Sequence, residues 1–440
     1  MPGDEVSRDT IAAIATPAGR GAIGVIRLSG ARVPEISARI LGLLPPPRHA
    51  TFCTFRDARG ESIDKGLALY FPAPHSYTGE PVLELQGHGG PLVTRGVLAA
   101  CIDAGARLAE PGEFTRRAFL EGKLDLLQAE AVADLIDAAS REAGRSAMRS
   151  LTGEFSAAIA SLTSQLVELR AFVEAMLDFP EEELDAVHRE DVAARLERAS
   201  GGLEDVLASS RQGSLLRSGI QVVLAGRPNV GKSSLLNRLA GQDRAIVSPV
   251  AGTTRDALRE PIHIEGVPLV LVDTAGLRAA SDTVEQLGIE RTQRELQLAD
   301  LVLLVREAGE AERAPESLPE AAQRIDVYNK IDLAPNFVPP AGAVAVSAKT
   351  GQGLEALRTA ILAAAGWHST GESVFLARER HLRALEKAKR HLADAAGQLP
   401  QWEFFAEELR LAQVALGEIT GEFTADDLLG EIFSRFCIGK

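Results

Sequence analysis

Short apolar runs and long helical stripes alternate along this chain. In the first 120 residues the apolar positions fall in brief runs: Ile11 to Ala15, Ala22 to Leu28, Leu67 to Phe71 and Val82 to Leu85. Runs of this length predict strands when bounded by turn-rich TPAGRG and by prolines, here Pro45 to Pro47 and Pro72 to Pro74. Glu84 sits between Leu83 and Leu85 and therefore faces the other side of its strand. Pro91 to Ala104 predicts a helix. From Leu124 the period lengthens. Leu124, Leu127, Ala131, Leu135 and Ala138 keep one helical face. Phe155, Ile159, Leu162, Leu166, Leu169, Val173 and Met176 keep another until Phe179-Pro180 stops it. An acidic run, Glu181 to Glu183, follows as a solvated helix start.

Strand-like runs return at Val222 to Leu224, Pro268 to Val272, Ile325 to Tyr328 and Ala343 to Val346. Helical stripes then resume with Leu382, Leu385, Leu392 and Ala395, and with Phe405, Leu409, Ala412, Leu416 and Ile419. Neither helical block can easily bury its stripes alone. One bundle assembled from both, with the second α/β segment as an inserted excursion, satisfies them. The expected architecture is multidomain: an N-terminal α/β domain over 1–120, a helical domain over 121–216 and 366–440, and an inserted Ras-like α/β P-loop GTPase domain over 217–365.

The polar residues between the second set of strands supply the chemistry. Gly226 to Ser233, GRPNVGKS, fits G-x-x-x-x-G-K-[ST] between a strand and a helix that continues from Ser234. Its glycines turn backbone N–H groups onto phosphate oxygens. Lys232 supplies a point charge for the β and γ phosphates, and Ser233 a hydroxyl for Mg²⁺. Asp273-Thr274-Ala275-Gly276 follows the next strand: the carboxylate suits water-mediated Mg²⁺ and Gly276 N–H suits a γ-phosphate. Asn329-Lys330-Ile331-Asp332 reads guanine, because the Asp332 carboxylate accepts from N1–H and N2–H₂, which adenine lacks. Ser347-Ala348-Lys349 supplies a backbone clamp for guanine O6. Each stretch alone is a weak signal; their order, each at a strand's C-terminal end, predicts a GTP-binding domain.

The hydrolytic groups depart from the small-GTPase pattern. Leu277 follows the D-x-x-G, where a glutamine often orients water. Glu285 is the nearest plausible carboxylate, though a solvated loop acid would look the same. Arg255 is a candidate finger, Thr254 sits where a switch threonine completes the Mg²⁺ shell, and Asn229 inside the phosphate loop offers an oxygen to a cation. In the N-terminal domain Arg20, Arg27, Glu84, His88 and the cluster Gly87, Gly89, Gly90 suit an anionic or heterocyclic ligand. A solvated strand face with a tight glycine turn is the simpler account of them.

Composition narrows the setting. The 440 residues are 45% hydrophobic and 25% charged, with a formal charge of −14. That balance fits ordinary globular domains and argues against indiscriminate nucleic-acid binding. No apolar run approaches the roughly 20 residues of a membrane span, and the acidic start MPGDEVSRDT has no signal-peptide core. Three scattered cysteines suit a reducing cytoplasm rather than a disulfide framework or zinc site.

Beyond these motifs, the segments GRPNVGKSSLLN, AIVSPVAGTTRD, DTAGLR, LELQGHGG, PGEFTRRAFLEGKLDLLQAEA and GEFTADDLLGEIFSRFCIGK together resemble the MnmE (TrmE) family of bacterial tRNA-modification GTPases along the whole chain. The resemblance implies a homodimer-forming N-terminal domain in which Arg27, Glu84, Lys123 and Lys440 contact a tetrahydrofolate derivative, 5-formyl- or 5,10-methylene-. It implies K⁺ held by Asn229, Ser248, Val250 and Thr253, and Mg²⁺ held by Ser233 and Thr254. The GTP-contacting loops would then include Val230, Gly231, Ser234, Ala251 and Gly252, with Glu285 orienting water. It further implies a heterotetramer with the FAD-dependent partner MnmG, acting in the cytoplasm on C5 of wobble uridine 34 of certain tRNAs to add an aminomethyl or carboxymethylaminomethyl group. Cys437 has two readings, a small buried hydrophobe or a thiol near the folate. A ribosome-assembly GTPase that clamps RNA is the alternative function; a single GTP-binding domain and the lack of a KH-type G-x-x-G module weigh against it.

Overall fold

The computed structural model describes residues 9–178, 186–243, 259–273, 294–310, 323–368, 374–399, 401–422, 426–434 and 436–439. Its contacts divide the chain into two units, Met1–Ala133 with Gly417–Lys440, and Asp134–Leu416.

The first unit is built on a six-stranded sheet of β1 (Ile11–Ile14), β2 (Ile23–Ser29), β3 (Thr51–Arg56), β4 (Ser62–Phe71), β5 (Val82–His88) and β6 (Arg107–Leu108), in the order β3-β4-β5-β2-β1-β6. Alternation puts Ile26, Leu28, Cys53, Phe55, Leu83 and Leu85 into one core with α1 (Val33–Leu41) and α2 (Pro91–Asp103). Several elements go beyond the expected set, β3 and α1 among them. β3 reads TFCTFR, an alternation shortened by threonines, and α1 carries only a narrow stripe of Val33, Ile36 and Ile40. The expected Val82 to Leu85 strand continues to His88 because β2 pairs with it along its whole length.

The helix α3 (Glu113–Leu120) follows, and then α4 (Leu126–Asp137), within which the two units divide. The last helix of the chain, α12 (Asp426–Ser434), belongs to this first unit. Leu126 and Ala129 bury against Leu429, Ile432, Phe433 and Phe436. The sequence boundaries placed 366–440 together. The contact division puts 417–440 in one unit with the N-terminal residues, while its aromatic side chains pack on Leu126 and Ala129, at the start of the expected helical part.

The second unit holds helices α5 (Arg141–Leu151), α6 (Glu154–Asp178), α7 (Ala186–Ser218), α10 (Glu379–Gly397) and most of α11 (Trp402–Thr420), which runs past the division at Leu416. The Phe155 to Val173 stripe is buried, as are Leu385, Leu392, Phe405 and Leu409. Between α7 and α10 the chain forms a second six-stranded sheet. Its strands are β7 (Ile220–Ala225), β8 (Arg259–Ile264), β9 (Val267–Asp273), β10 (Leu301–Glu307), β11 (Gln323–Asn329) and β12 (Val344–Ala345), ordered β12-β11-β10-β7-β9-β8. Helices α8 (Lys232–Asp243) and α9 (Leu354–Ala364) accompany it. Val222 and Leu224 enter one core while Val223 and Ala225 enter another on the opposite face. That two-sided burial explains the unbroken apolar run. Because α7 and α10 pack against one another, the α/β domain is an insertion within a helical bundle. No described helix is long and apolar enough to cross a membrane.

Candidate functional site

The candidate site of the inserted domain lies where strands end, and that of the first unit lies on a sheet face. In the inserted domain β7 runs straight into the phosphate loop and α8 opens at Lys232. Gly226 and Gly231 both adopt positive φ, +139° and +93°. A Cβ at Gly231 would stand 2.3 Å from the Asn329 amide nitrogen, so only glycine allows that approach. Asn229 also has φ of +65°, and it is exposed on the loop. The Lys232 ammonium is buried and donates to the carbonyls of Gly226 and Arg227 at 2.7 and 2.8 Å. Ser233 donates its hydroxyl to the Asp273 carboxylate at 2.5 Å. A hydroxyl from the start of α8 and a carboxylate from the end of β9 therefore meet beside the loop, a donor set that fits Mg²⁺.

The segments expected to read guanine close on one another and on the phosphate loop. Asn329 is 2% exposed, and its amide nitrogen donates to the Val230 carbonyl at 2.9 Å. Its amide oxygen accepts from Ala348 N–H at 3.0 Å. Ser347 donates to Asp332 at 2.6 Å, and Thr350 N–H returns a bond to the Ser347 hydroxyl at 3.1 Å. Lys330, at φ of +66°, pairs with Glu307 at the end of β10, 2.6 Å away. Lys349 and Ser234 are exposed at the rim. Thr274, Ala275, Gly276, Ser248, Val250, Ala251, Gly252, Thr253, Thr254, Arg255, Leu277 and Glu285 lie outside the described residues.

In the first unit the outward face of β2 and β5 brings Arg27 and Glu84 together, 2.8 Å apart. The tail closes over them: Gly112 N–H donates to the Cys437 carbonyl at 3.4 Å, Pro111 bridges Ile438, and Arg27 reaches the Gly439 carbonyl at 3.5 Å. Gly112 sits at φ of +68°, and a Cβ there would stand 2.5 Å from the Phe433 carbonyl. The Arg27 guanidinium lies 5.6 Å from the Tyr77 ring centre and 5.9 Å from that of Phe114. Burial pushes the Tyr77 phenol up, against the pull of Thr115 and Arg27. Lys123 packs its stem along the same loop, where a Cβ at Gly79 would stand 3.3 Å from its Cε. Lys440 lies outside the described residues.

Tyr77 and Phe114 escaped the sequence reading; the only signal was their place beside the TGE and PGEFTRR segments. Cys437 is exposed, which overturns the buried-hydrophobe reading: Phe436 and the Gly439 backbone turn inward instead. Arg20 is exposed. His88 is held by Asp64 through both its backbone N–H and ring Nδ1, at 2.7 and 2.8 Å. Gly89 packs so closely that a Cβ would stand 2.6 Å from the Gly21 carbonyl, which favours the tight-turn reading of the glycine cluster.

Beneath this site a charged network fixes α3. Glu113 accepts from Arg107 at 2.6 Å, from Arg117 at 2.9 Å and from Glu110 N–H at 2.9 Å. Arg117 also pairs with Asp9 and Glu80. Burial works against the Glu113 carboxylate, yet the Arg107 and Arg117 guanidiniums and the Glu110 amide outweigh it and hold its pKa below the ordinary glutamate value.

Comparison with known proteins now decides the family. A model described as the MnmE helical domain matches residues 126–437, and one for the N-terminus of the GTP-binding protein TrmE matches 10–123. The chain belongs to the MnmE family of tRNA modification GTPases. The tRNA modification GTPase MnmE of Azoarcus sp. (strain BH72) is 60% identical across 98% of both chains. That of Thiobacillus denitrificans is 58% identical, again across 98% of both. The solved G domain of the T. maritima FeoB iron transporter is 27% identical, spans 33% of this chain and 98% of its own, and has a TM-score of 0.24. Arg27 and Glu84 fall within the stretch matched by the TrmE N-terminal model, and the phosphate loop within the span of the helical-domain model.

Proposed function

We propose that this MnmE-family chain is a K⁺-dependent GTPase that works as a homodimer with an FAD-dependent partner, MnmG, in the cytoplasm. Together they would add an aminomethyl or carboxymethylaminomethyl group to C5 of wobble uridine 34, drawing one carbon from a tetrahydrofolate derivative.

The observation that carries the folate assignment is the docked tail beside Arg27 and Glu84. A carboxylate, a guanidinium and the half-buried Tyr77 ring suit a flat heterocycle bearing N–H donors and acceptors, with the buried Phe114 ring packed near Arg27. Arg27, Glu84, Lys123 and Lys440 would hold the folate, which would supply the one-carbon unit. The exposed thiol of Cys437 flanks that site. In the G domain Lys232 would neutralise β- and γ-phosphate charge, and Ser233 with Thr254 would hold Mg²⁺. Asn229, Ser248, Val250 and Thr253 would hold K⁺, which supplies a fixed positive charge for the phosphates. Glu285 would orient the attacking water. Support for a second copy comes from the outward sheet face, where Phe52 (71% exposed), Leu67 and Ile23 present apolar surface.

Two measurements test this reading. Full-length protein should bind reduced folate, and a chain ending at Phe436 should bind it at least tenfold more weakly. Wobble uridines from cells lacking the protein should lose the C5 substituent by mass spectrometry. Unmodified folate affinity on truncation refutes the tail's role; unchanged uridines refute the activity.

A further inference from the structure

Asp134 on α4 has a side chain only 7% exposed, and it ties together both places where the chain crosses into the inserted domain. Its Oδ1 accepts from Arg217 Nε at 2.9 Å and from Arg378 Nη2 at 3.0 Å. Arg217 is in the last turn of α7, directly before β7 begins. Arg378 is the N-cap of α10, where the chain returns to the bundle.

Neighbouring contacts tighten the same joint. A Cβ at Gly213 of α7 would stand 1.7 Å from the Phe375 carbonyl, so the helix lies directly on the returning chain. Gln212 donates to the Gly366 carbonyl at 2.6 Å and accepts from His368 N–H at 3.0 Å. From α5, Ser146 donates to the Val374 carbonyl at 2.6 Å. The Phe155 and Phe375 rings stack with centroids 4.8 Å apart. Also from α5, the Glu142 carboxylate lies against the turn between β8 and β9: a Cβ at Gly266 would stand 2.3 Å from its Oε2. Strand β9 starts beside that turn and ends at Asp273, the partner of Ser233 in the phosphate loop.

We propose that Asp134 is a positioning residue for the tRNA-modifying activity. It clamps both crossings onto α4, so that a shift of β9 and the phosphate loop with the nucleotide moves the α4–α5 pair instead of being absorbed in slack linkers. A buried carboxylate shared by two guanidiniums has discrete made and broken states, which is what transmission through packed elements requires. The inference rests on the reading that GTP use drives modification.

The test uses the full chain with Asp134→Asn, with Arg217→Gln/Arg378→Gln, and with all three changes. Asp134→Asn should keep GTP turnover within about twofold of wild type while wobble-uridine modification falls at least tenfold. Hydrogen exchange of α4 and α5 should differ between GTP-analogue and GDP states in the wild type and lose that difference in the variant. The arginine pair should reproduce the defect, and adding Asp134→Asn to it should cost nothing more, since the three act as one unit. Should Asp134→Asn not fold, the arginine pair alone decides. Modification that falls only in step with turnover, or a further loss in the triple variant, overturns the assignment. Lys232→Ala separates the two ideas. If it stops turnover yet leaves modification intact, the coupling reading fails; if it stops modification while Asp134→Asn does not, only the Asp134 role fails.

Discussion

Asn329, at the end of β11, donates its side-chain amide to the carbonyl of Val230 in the phosphate loop, 2.9 Å away. The residue that a sequence pattern assigns to reading guanine is thus also the tie that joins the base-reading and phosphate-reading loops. Its oxygen holds Ala348 N–H at the same time.

Asn329→Ala should therefore weaken every nucleotide rather than change base preference. Orphaning a buried carbonyl and a buried N–H costs roughly 1–3 kcal/mol per group. Calorimetric titration should show GDP and GTP affinities falling together by at least tenfold, with xanthosine nucleotides falling in parallel. A loss confined to guanosine nucleotides would show that the tie does not matter.

Asp332→Asn should behave differently. The carboxylate already accepts from Ser347, and its role toward the base depends on accepting from N1–H and N2–H₂. An amide there favours xanthosine nucleotides, whose C2 group is an acceptor. Losing charged hydrogen bonds should cost on the order of 2–4 kcal/mol toward GTP. Competition between GTP and XTP for the variant reads the switch directly, and retained GTP preference would refute the assignment.

Acid should loosen the first unit through Glu113. Its pKa is depressed in the fold, so its contribution to stability is present above the ordinary glutamate value and disappears as pH falls through the folded value. Glu113→Gln should lose stability at pH 7, by roughly 1–3 kcal/mol, because Arg107 and Arg117 lose a charged acceptor. It should also show a flatter decline below about pH 4.3. Denaturant melts of the two proteins across pH 3–7 make the comparison; parallel curves would remove Glu113 from the account.

Asn229→Ala addresses the cation. Asn229 stands exposed on the phosphate loop at positive φ, where its oxygen can join a cage of neutral ligands. A finger arginine is worth about 10³–10⁵ in rate, and a fixed monovalent charge can replace part of that. Wild-type turnover should rise steeply with K⁺, respond little to Na⁺ at matched ionic strength, and rise with protein concentration. The variant should lose the K⁺ response while keeping GDP affinity within a few-fold. Equal turnover in both salts would reject K⁺ dependence and leave GTP binding untouched.

The sequence alone determined the family, the loop motifs and the class of the long or strongly patterned elements, though not β3 or α1. GRPNVGKS, DTAG, NKID and SAK carry their roles in residue order, because each loop needs particular backbone donors or one carboxylate at a strand end. The two-sided burial of β7 and the long stripe of α6 were legible because period follows burial. The family, too, was visible in contiguous segments. Tertiary structure alone decided what lies far apart in sequence. Arg27, Tyr77, Phe114 and Gly439 meet because the tail crosses the outward sheet face. Asn329 reaches Val230 because the parallel strands β11 and β7, on either side of β10, end at the same edge. Asp134, Arg217 and Arg378 converge because two helices return to one bundle around an insertion. No periodicity encodes these meetings; they follow from which buried faces close on which, and that is settled only when the whole core packs.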